Sequence, residues 1–226
     1  MTDSRTAVIP LFPLSHVLLP GMPLPLHIFE PRYRRLLDDI RSDSGLGSFG
    51  VVALHSGTES SPIAGSADVA GIGTLAEIVE VEPAVDGSSD LLAVGSRRFR
   101  IDSLLATGAP YLRGEVEWLD EVDGGVRPAQ VGVTRRLSDD VRELLEVLTG
   151  QLREAELPDD PTLLSYHVAA HLPLDTADRQ ELLSAPTTAD RLRLTVPLLR
   201  RELRLLHETR SVAVSPSVIR MPFSLN

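Results

Sequence analysis

Six prolines fall between Ile9 and Leu37, in the run IPLFPLSHVLLPGMPLPLHIFEPRYRRLL. Proline fixes φ and removes a backbone donor, so Pro10, Pro13, Pro20, Pro23 and Pro25 favour edge strands and tight turns over a long helix or a central strand. A helix opens only at Glu30-Pro31, with Pro31 at the first position, where its missing N–H costs nothing. Tyr33, Leu36, Leu37 and Ile40 then recur at the i, i+3, i+4, i+7 spacing of one buried face. The stretch thus predicts a first strand over residues 7–12, a second over 24–29 and a helix from 31 to about 41.

The rest of the first half keeps to short strands. Residues 49–54 form a continuous apolar run, and residues 71–82 (GIGTLAEIVEVE) alternate apolar side chains with glutamates. A turn over 83–90 leads to strands at 91–94 and 97–101, and a last strand covers 112–119. Residues 55–70 have the Ser, Gly and Pro composition of a long surface loop. Six or seven strands with one early helix predict an antiparallel, barrel-like β domain over residues 1–119.

Residues 120–132 (DEVDGGVRPAQVG) mark a composition shift and read as a linker. Helical periods follow over 133–210. Leu137, Val141, Leu144, Leu145, Leu148 and Leu152 form a first stripe, with Ser138 or a neighbouring aspartate available as N-cap. Pro161 opens a second helix and Asp175 caps a third. Thr187 with Asp190 begins a fourth, which should bury Leu192, Val196, Leu199, Leu203 and Leu206 and bend near Leu194 because of Pro197. Residues 211–226 alternate apolar and polar and read as an extended C-terminal arm.

Composition removes whole classes of chemistry. There is no cysteine, and all 22 Lys+Arg residues are arginines, so no thiol nucleophile, Ser–Lys dyad, Schiff base or P-loop lysine is available in this sequence. A net charge of −10 argues against a general nucleic-acid or anionic-membrane binder. No signal-peptide-like run opens the sequence and no window reaches the roughly 18 apolar residues of a membrane span, which predicts a cytoplasmic protein.

The remaining candidates for chemistry are few. His167 and His171 lie four apart on a helix, but Val168 stands where a zinc protease carries its glutamate, so the pair reads as ordinary helix histidines rather than a metal site. No G-x-S-x-G elbow occurs, and His16, His27 and His55 define no triad. Gly71-Ile72-Gly73 precedes a strand and reads as a bulge or tight strand entry. Arg98 and Arg100 should share an exposed face opposite Phe99, open to an anionic ligand or merely solvated. Arg32 at a helix start calls for a carboxylate partner, with Glu30 the nearest.

The segment PLFPLSHVLLPGMPLPLHIFEPRYRRLL resembles the start of the Lon protease N-terminal, substrate-binding domain. GIGTLAEIVEVE, VGSRRFRI and DRQELLSAPTTADRLRLTVPLLRREL follow in the family's order. The most specific motif runs from Pro25 through Phe29, Glu30, Pro31 and Arg32 to Tyr33. The resemblance implies an α+β protein: a PUA-like antiparallel β pseudo-barrel with one early helix, followed by an α-helical bundle. It also implies recognition of unfolded or partner polypeptides without ATPase or protease chemistry, no cofactor or metal, and a stand-alone domain. The favoured function is therefore a non-catalytic protein- or peptide-binding module, with Phe12, Pro13, Leu14 and Arg98 as its contact residues and strand addition as its mode. An RNA- or nucleotide-binding PUA-like protein is the alternative, though the charge disfavours nucleic acid, and an unrecognised hydrolase is the third reading. Within the opening segment Phe29, Tyr33 and Leu36 are expected to face inward.

Overall fold

Strand β1 (Thr6–Leu14) changes partner along its length, and that switch lets a strand with two prolines sit inside a sheet. Thr6 to Leu11 pair antiparallel with β6 (Leu112–Trp118), and Leu11 to Leu14 pair parallel with β3 (Ser48–Ala53). Pro10 precedes the β3 ladder and Pro13 follows the β6 ladder, so each has a side on which no donor is required. Edge character therefore holds for each half of β1, while the strand as a whole lies between β3 and β6.

The structure is a computed structural model that describes residues 5–41, 46–54, 68–105, 108–150 and 156–209. The helix stop at 42–45, most of the loop at 55–70 with His55, and the arm at 211–226 lie outside the described residues. The chain divides into two units, Met1–Asp120 and Glu121–Asn226.

In the first unit β2 (Pro23–Ile28), helix α1 (Pro31–Ile40), β4 (Ile72–Pro83) and β5 (Ser89–Leu105) complete the set. The sheet runs β2-β5-β4-β3-β1-β6, and a further β5–β6 pairing closes five strands into a ring, leaving β2 on the edge. The ring is mixed rather than wholly antiparallel: β2 and α1 form a crossover between β1 and β3, the connection that parallel neighbours need. The two runs expected at 91–94 and 97–101 form one strand of 17 residues, continuous through Gly95.

Successive residues of β1 and β3 feed opposite faces. Leu11 and Val52 join Phe99, Leu112 and Val116 inside the ring. Phe12, Phe49 and Val51 join Leu24, Ile28, Ile78, Leu91 and the buried face of α1 on the other side. Tyr33, Leu36 and Leu37 are buried as the spacing predicts, with Ile40 packed beside them. Two glycines in the ring make room for Phe99: a Cβ on Gly50 or Gly73 would lie 2.7 or 2.6 Å from its ring. Of the two readings of Gly71-Ile72-Gly73, the tight strand entry fits, since β4 begins at Ile72 and Gly73 pairs directly with Phe99, with no bulge at that position.

Helix α1 is also tied to the chain entering β6. The Tyr111 hydroxyl donates to Asp39 Oδ2 at 2.7 Å, and Arg35 Nε donates to Asp39 Oδ1 at 2.9 Å. Burial, and then the Asp39 carboxylate, raise Tyr111 to about 12. A phenol whose folded pKa exceeds its unfolded value of about 10 contributes stability below pH 10 and loses it as pH rises through 12. Urea midpoints should therefore fall between pH 10 and 12, and Tyr111→Phe should flatten that part of the profile. An unchanged slope in the variant would exclude Tyr111 as its source.

The second unit contains α2 (Pro128–Thr149), α3 (Pro161–His171), α4 (Thr176–Ser184) and α5 (Thr188–Thr209). Asp160 and Asp175 cap α3 and α4, accepting from Leu163 N and Asp178 N. Thr187 Oγ1 accepts from Asp190 N at 3.1 Å and donates to Asp190 Oδ2 at 2.7 Å, fixing the start of α5. Leu192, Leu199 and Leu206 are fully buried, and Pro197 sits on the exposed side of a helix that continues past it.

Helix α2 begins at Pro128, well before the stripe that starts at Leu137, because Pro128 takes the first position and Gln130 Oε1 accepts from Arg127 N at 2.9 Å. The expected linker thus contains a helix start, and its earlier part is docked rather than free. Thr188 N donates to Val122 O, Ala189 N to Asp123 O, and Asp123 Oδ1 accepts from Gly125 N and Val126 N.

Candidate functional site

The residues expected to contact a peptide are buried. Phe12, at 7% exposure, stacks on Tyr33 with ring centroids 3.9 Å apart, and Pro13 and Leu14 are covered as well. Their burial follows from the β1 switch, which surrounds the strand with β3, β6 and α1 instead of leaving it at an edge. Arg98 is only 1% exposed, against the expected open face. Its cross-strand partner Thr74 donates to Leu18 O at 2.7 Å, and Val17, Leu18 and Leu19 are buried, so the proline-bounded segment after β1 lies over this face. Arg100 remains exposed and pairs with Glu117, while Arg97 lies 4.2 Å over the Trp118 ring.

The family motif divides between two jobs. Arg32 donates to Glu30 Oε2 at 2.9 Å from both Nε and a terminal nitrogen, which supplies the carboxylate expected at this helix start. Its guanidinium lies 4.6 Å over the Tyr33 ring, and with Pro31 these residues set α1 in place. Phe29 does the opposite of what was expected: it is 56% exposed. Strand alternation explains it, because Leu24, Leu26 and Ile28 point into the core and Pro23, Pro25, His27 and Phe29 share the other side.

That other side continues across two neighbouring strands. The register sets Pro23 beside Val94 and Glu77, Pro25 beside Leu92 and Glu80, and His27 beside Asp90 and Glu82. Cross-strand partners share a face. A register shift between Ile78 and Glu80 also leaves Val79 outward, 53% exposed. His27 Nδ1 lies 2.8 Å from Asp90 Oδ1, and its ring lies 5.9 Å from that of Phe29. The face therefore carries a strip of Pro23, Pro25, Phe29, Leu92 and Val94, with Val79 beyond it and the carboxylates of Glu77, Glu80, Glu82 and Asp90 alongside.

The chemistry of the β2 edge limits how anything can bind there. Neither Pro23 nor Pro25 can donate to β5, so their backbone positions turn towards the free side of the ladder. An added strand would find carbonyls there but would lack two of the three donors that residues 23, 25 and 27 would otherwise present. The edge is blocked against strand addition, and contact must come from side chains across the face.

In the second unit Val141, Leu145, Leu157, Val168, Leu172 and Leu199 line a cavity together with His167 and His171. The imidazole rings are 4.2 Å apart, and His171 Nδ1 lies 2.7 Å from His167 O. Burial, then the neighbouring His171, hold His167 below the usual histidine range. Both histidines lie on α3, and among the described residues no group of three His, Cys, Asp or Glu side chains is placed to hold a metal.

The sequence pattern does not mark Val79, Leu92 and Val94 as surface residues. Alternation within the expected strand 24–29 itself turns Phe29 outward, against its expected inward place, but the β2–β5–β4 register is not readable from alternation alone.

Residues 8–201 match the family model described as the ATP-dependent protease La (LON) substrate-binding domain. The chain is 30% identical to Lon protease 2 of Syntrophobacter fumaroxidans over 79% of its own length and 22% of that protein's. It is 27% identical to Lon protease of Escherichia coli K12 over 90% of its length and 26% of that protein's. The chain thus spans about a quarter of the length of the curated relatives it matches. Among solved structures, the Lon N-terminal domain protein from Xanthomonas campestris superposes with a TM-score of 0.64 at 30% identity, covering 84% of this chain and 98% of that one. The N-terminal domain of Mycobacterium avium complex Lon protease gives the same score at 18% identity, a likeness of fold.

Proposed function

The chain belongs to the LON substrate-binding domain family, and on that premise we propose that it is a non-catalytic polypeptide-binding module whose contact surface is the outward face of β2, β5 and β4. One observation carries the placement: Phe29, a large aromatic within the family-like motif, is 56% exposed beside a half-buried apolar strip. Aromatic side chains held at the end of a paired strand, as Phe29 is next to β2, are among those enriched in protein interfaces. The partner class is a segment of unfolded or locally extended polypeptide, because a strip a few side chains wide fits one chain better than a folded surface. No helix among the described residues is long and apolar enough to cross a membrane.

The test is binding of a denatured model protein compared with its native form, followed by Phe29→Ala. The variant should weaken binding to the denatured form about tenfold or more, since an aromatic hot spot is worth upwards of about 2 kcal/mol. Its thermal midpoint should barely move, since an exposed substitution shifts stability by within about 0.5 kcal/mol. Equal failure with denatured and native protein at high micromolar concentration would refute the reading.

A further inference from the structure

The outward face of β2, β5 and β4 is one-sided in charge. Glu77, Glu80 and Glu82 project along β4 and Asp90 lies at the start of β5, all exposed. Neither β2 nor β4 contains an arginine, and β5 contains none before Arg97, so on this stretch of the three strands His27 is the one basic side chain, already beside Asp90. Neighbouring strands are about 5 Å apart, so the carboxylate row of β4 lies one strand-width from Leu92 and Val94 and two from Pro25. A chain lying along the apolar strip would hold its side chains within reach of those carboxylates.

From this arrangement we infer that the face selects extended polypeptide segments in which arginine or lysine alternates with apolar side chains. Apolar residues of the segment sit on Phe29, Pro25, Leu92 and Val94. Their cationic neighbours reach across to Glu77, Glu80 and Glu82. The prolines of β2 keep the segment from joining the sheet as a strand, so side-chain pattern, and not backbone pairing, sets what is bound. This selectivity rests on the reading of the face as the polypeptide-binding surface. It also opposes nucleic acid, whose phosphates the same carboxylates repel.

Two labelled peptides of one length and one set of apolar residues separate the two ideas by fluorescence anisotropy, one with arginine and the other with glutamate at the alternate positions. The arginine peptide should bind about tenfold more tightly at low salt, and the difference should shrink as ionic strength rises and the exposed charges are screened. The triple variant Glu77→Gln, Glu80→Gln, Glu82→Gln should bind both peptides alike, and Phe29→Ala should weaken both, with thermal midpoints showing that each variant is folded. Equal binding of the two peptides by the unaltered chain, or a preference that survives in the triple variant, overturns the charge selectivity while Phe29-dependent binding still supports the face. Binding of neither peptide overturns both.

Discussion

Glu121→Ala should cost the helical unit about 3–5 kcal/mol, and more than Arg191→Met, although Arg191 is the larger and more deeply buried side chain. Arg191 is fully buried; its Nε donates to Ser165 Oγ at 2.8 Å, a terminal nitrogen donates to Glu121 Oε2 at 2.9 Å, and its guanidinium lies 3.8 Å over the Tyr166 ring. The Tyr166 hydroxyl donates to the other Glu121 oxygen at 2.7 Å, so one carboxylate anchors two groups. A guanidinium keeps its charge at any ordinary pH, and removing Glu121 takes the counter-charge from a cation that cannot escape to water. Glu121 is about a third exposed. When Arg191 is replaced by Met, its former partner can therefore be hydrated while the methionine keeps much of the buried volume. Urea unfolding followed by helical circular dichroism measures both. A smaller loss for Glu121→Ala than for Arg191→Met would show that volume, not charge, governs this site.

The same cluster shows where the sequence stopped being legible. Glu121 lies in a Gly- and Pro-containing stretch that reads as a linker, and the helical period of α5 does not single out Arg191. The parallel bridge between Val122 and Thr187, with the backbone bonds of Thr188 and Ala189 beside it, brings them together across a separation of 70 residues. Local signals fared better. Pro31, Pro161, Asp175 and Thr187 each stand at a helix start as their chemistry requires, and the Tyr33 spacing identifies the buried face of α1. The errors at the candidate site share one cause. Proline marks an edge strand in β2, but β1 satisfies its two prolines by exchanging partners and so buries Phe12, Pro13 and Leu14. Arg98 failed for a related reason, since alternation within a strand says which residues share a face and not whether another segment covers it.

Gly73→Ala should be the more damaging of two glycine substitutions inside the ring, at about 3 kcal/mol or more, with Gly50→Ala at about 1–3 kcal/mol. Both would push a methyl group towards the Phe99 ring, but their other neighbours differ. Around Gly50 a Cβ would meet side-chain atoms, with Leu11 Cδ2 at 2.7 Å and Ile9 Cδ1 at 2.8 Å. Those atoms can rotate aside. Around Gly73 it would meet the Val51 carbonyl oxygen at 2.4 Å, and that oxygen belongs to β3. Moving it means moving the strand paired with both β1 and β4. The distinction gives a test by repair. Trimming the ring with Phe99→Leu should recover part of the loss in Gly50→Ala, so that the double variant is more stable than the sum of the separate losses predicts. The same second change should recover little in Gly73→Ala, because the carbonyl clash remains. Denaturant midpoints for the two double-mutant cycles read the coupling directly, and equal recovery at both positions would show that β3 yields as easily as a side chain does.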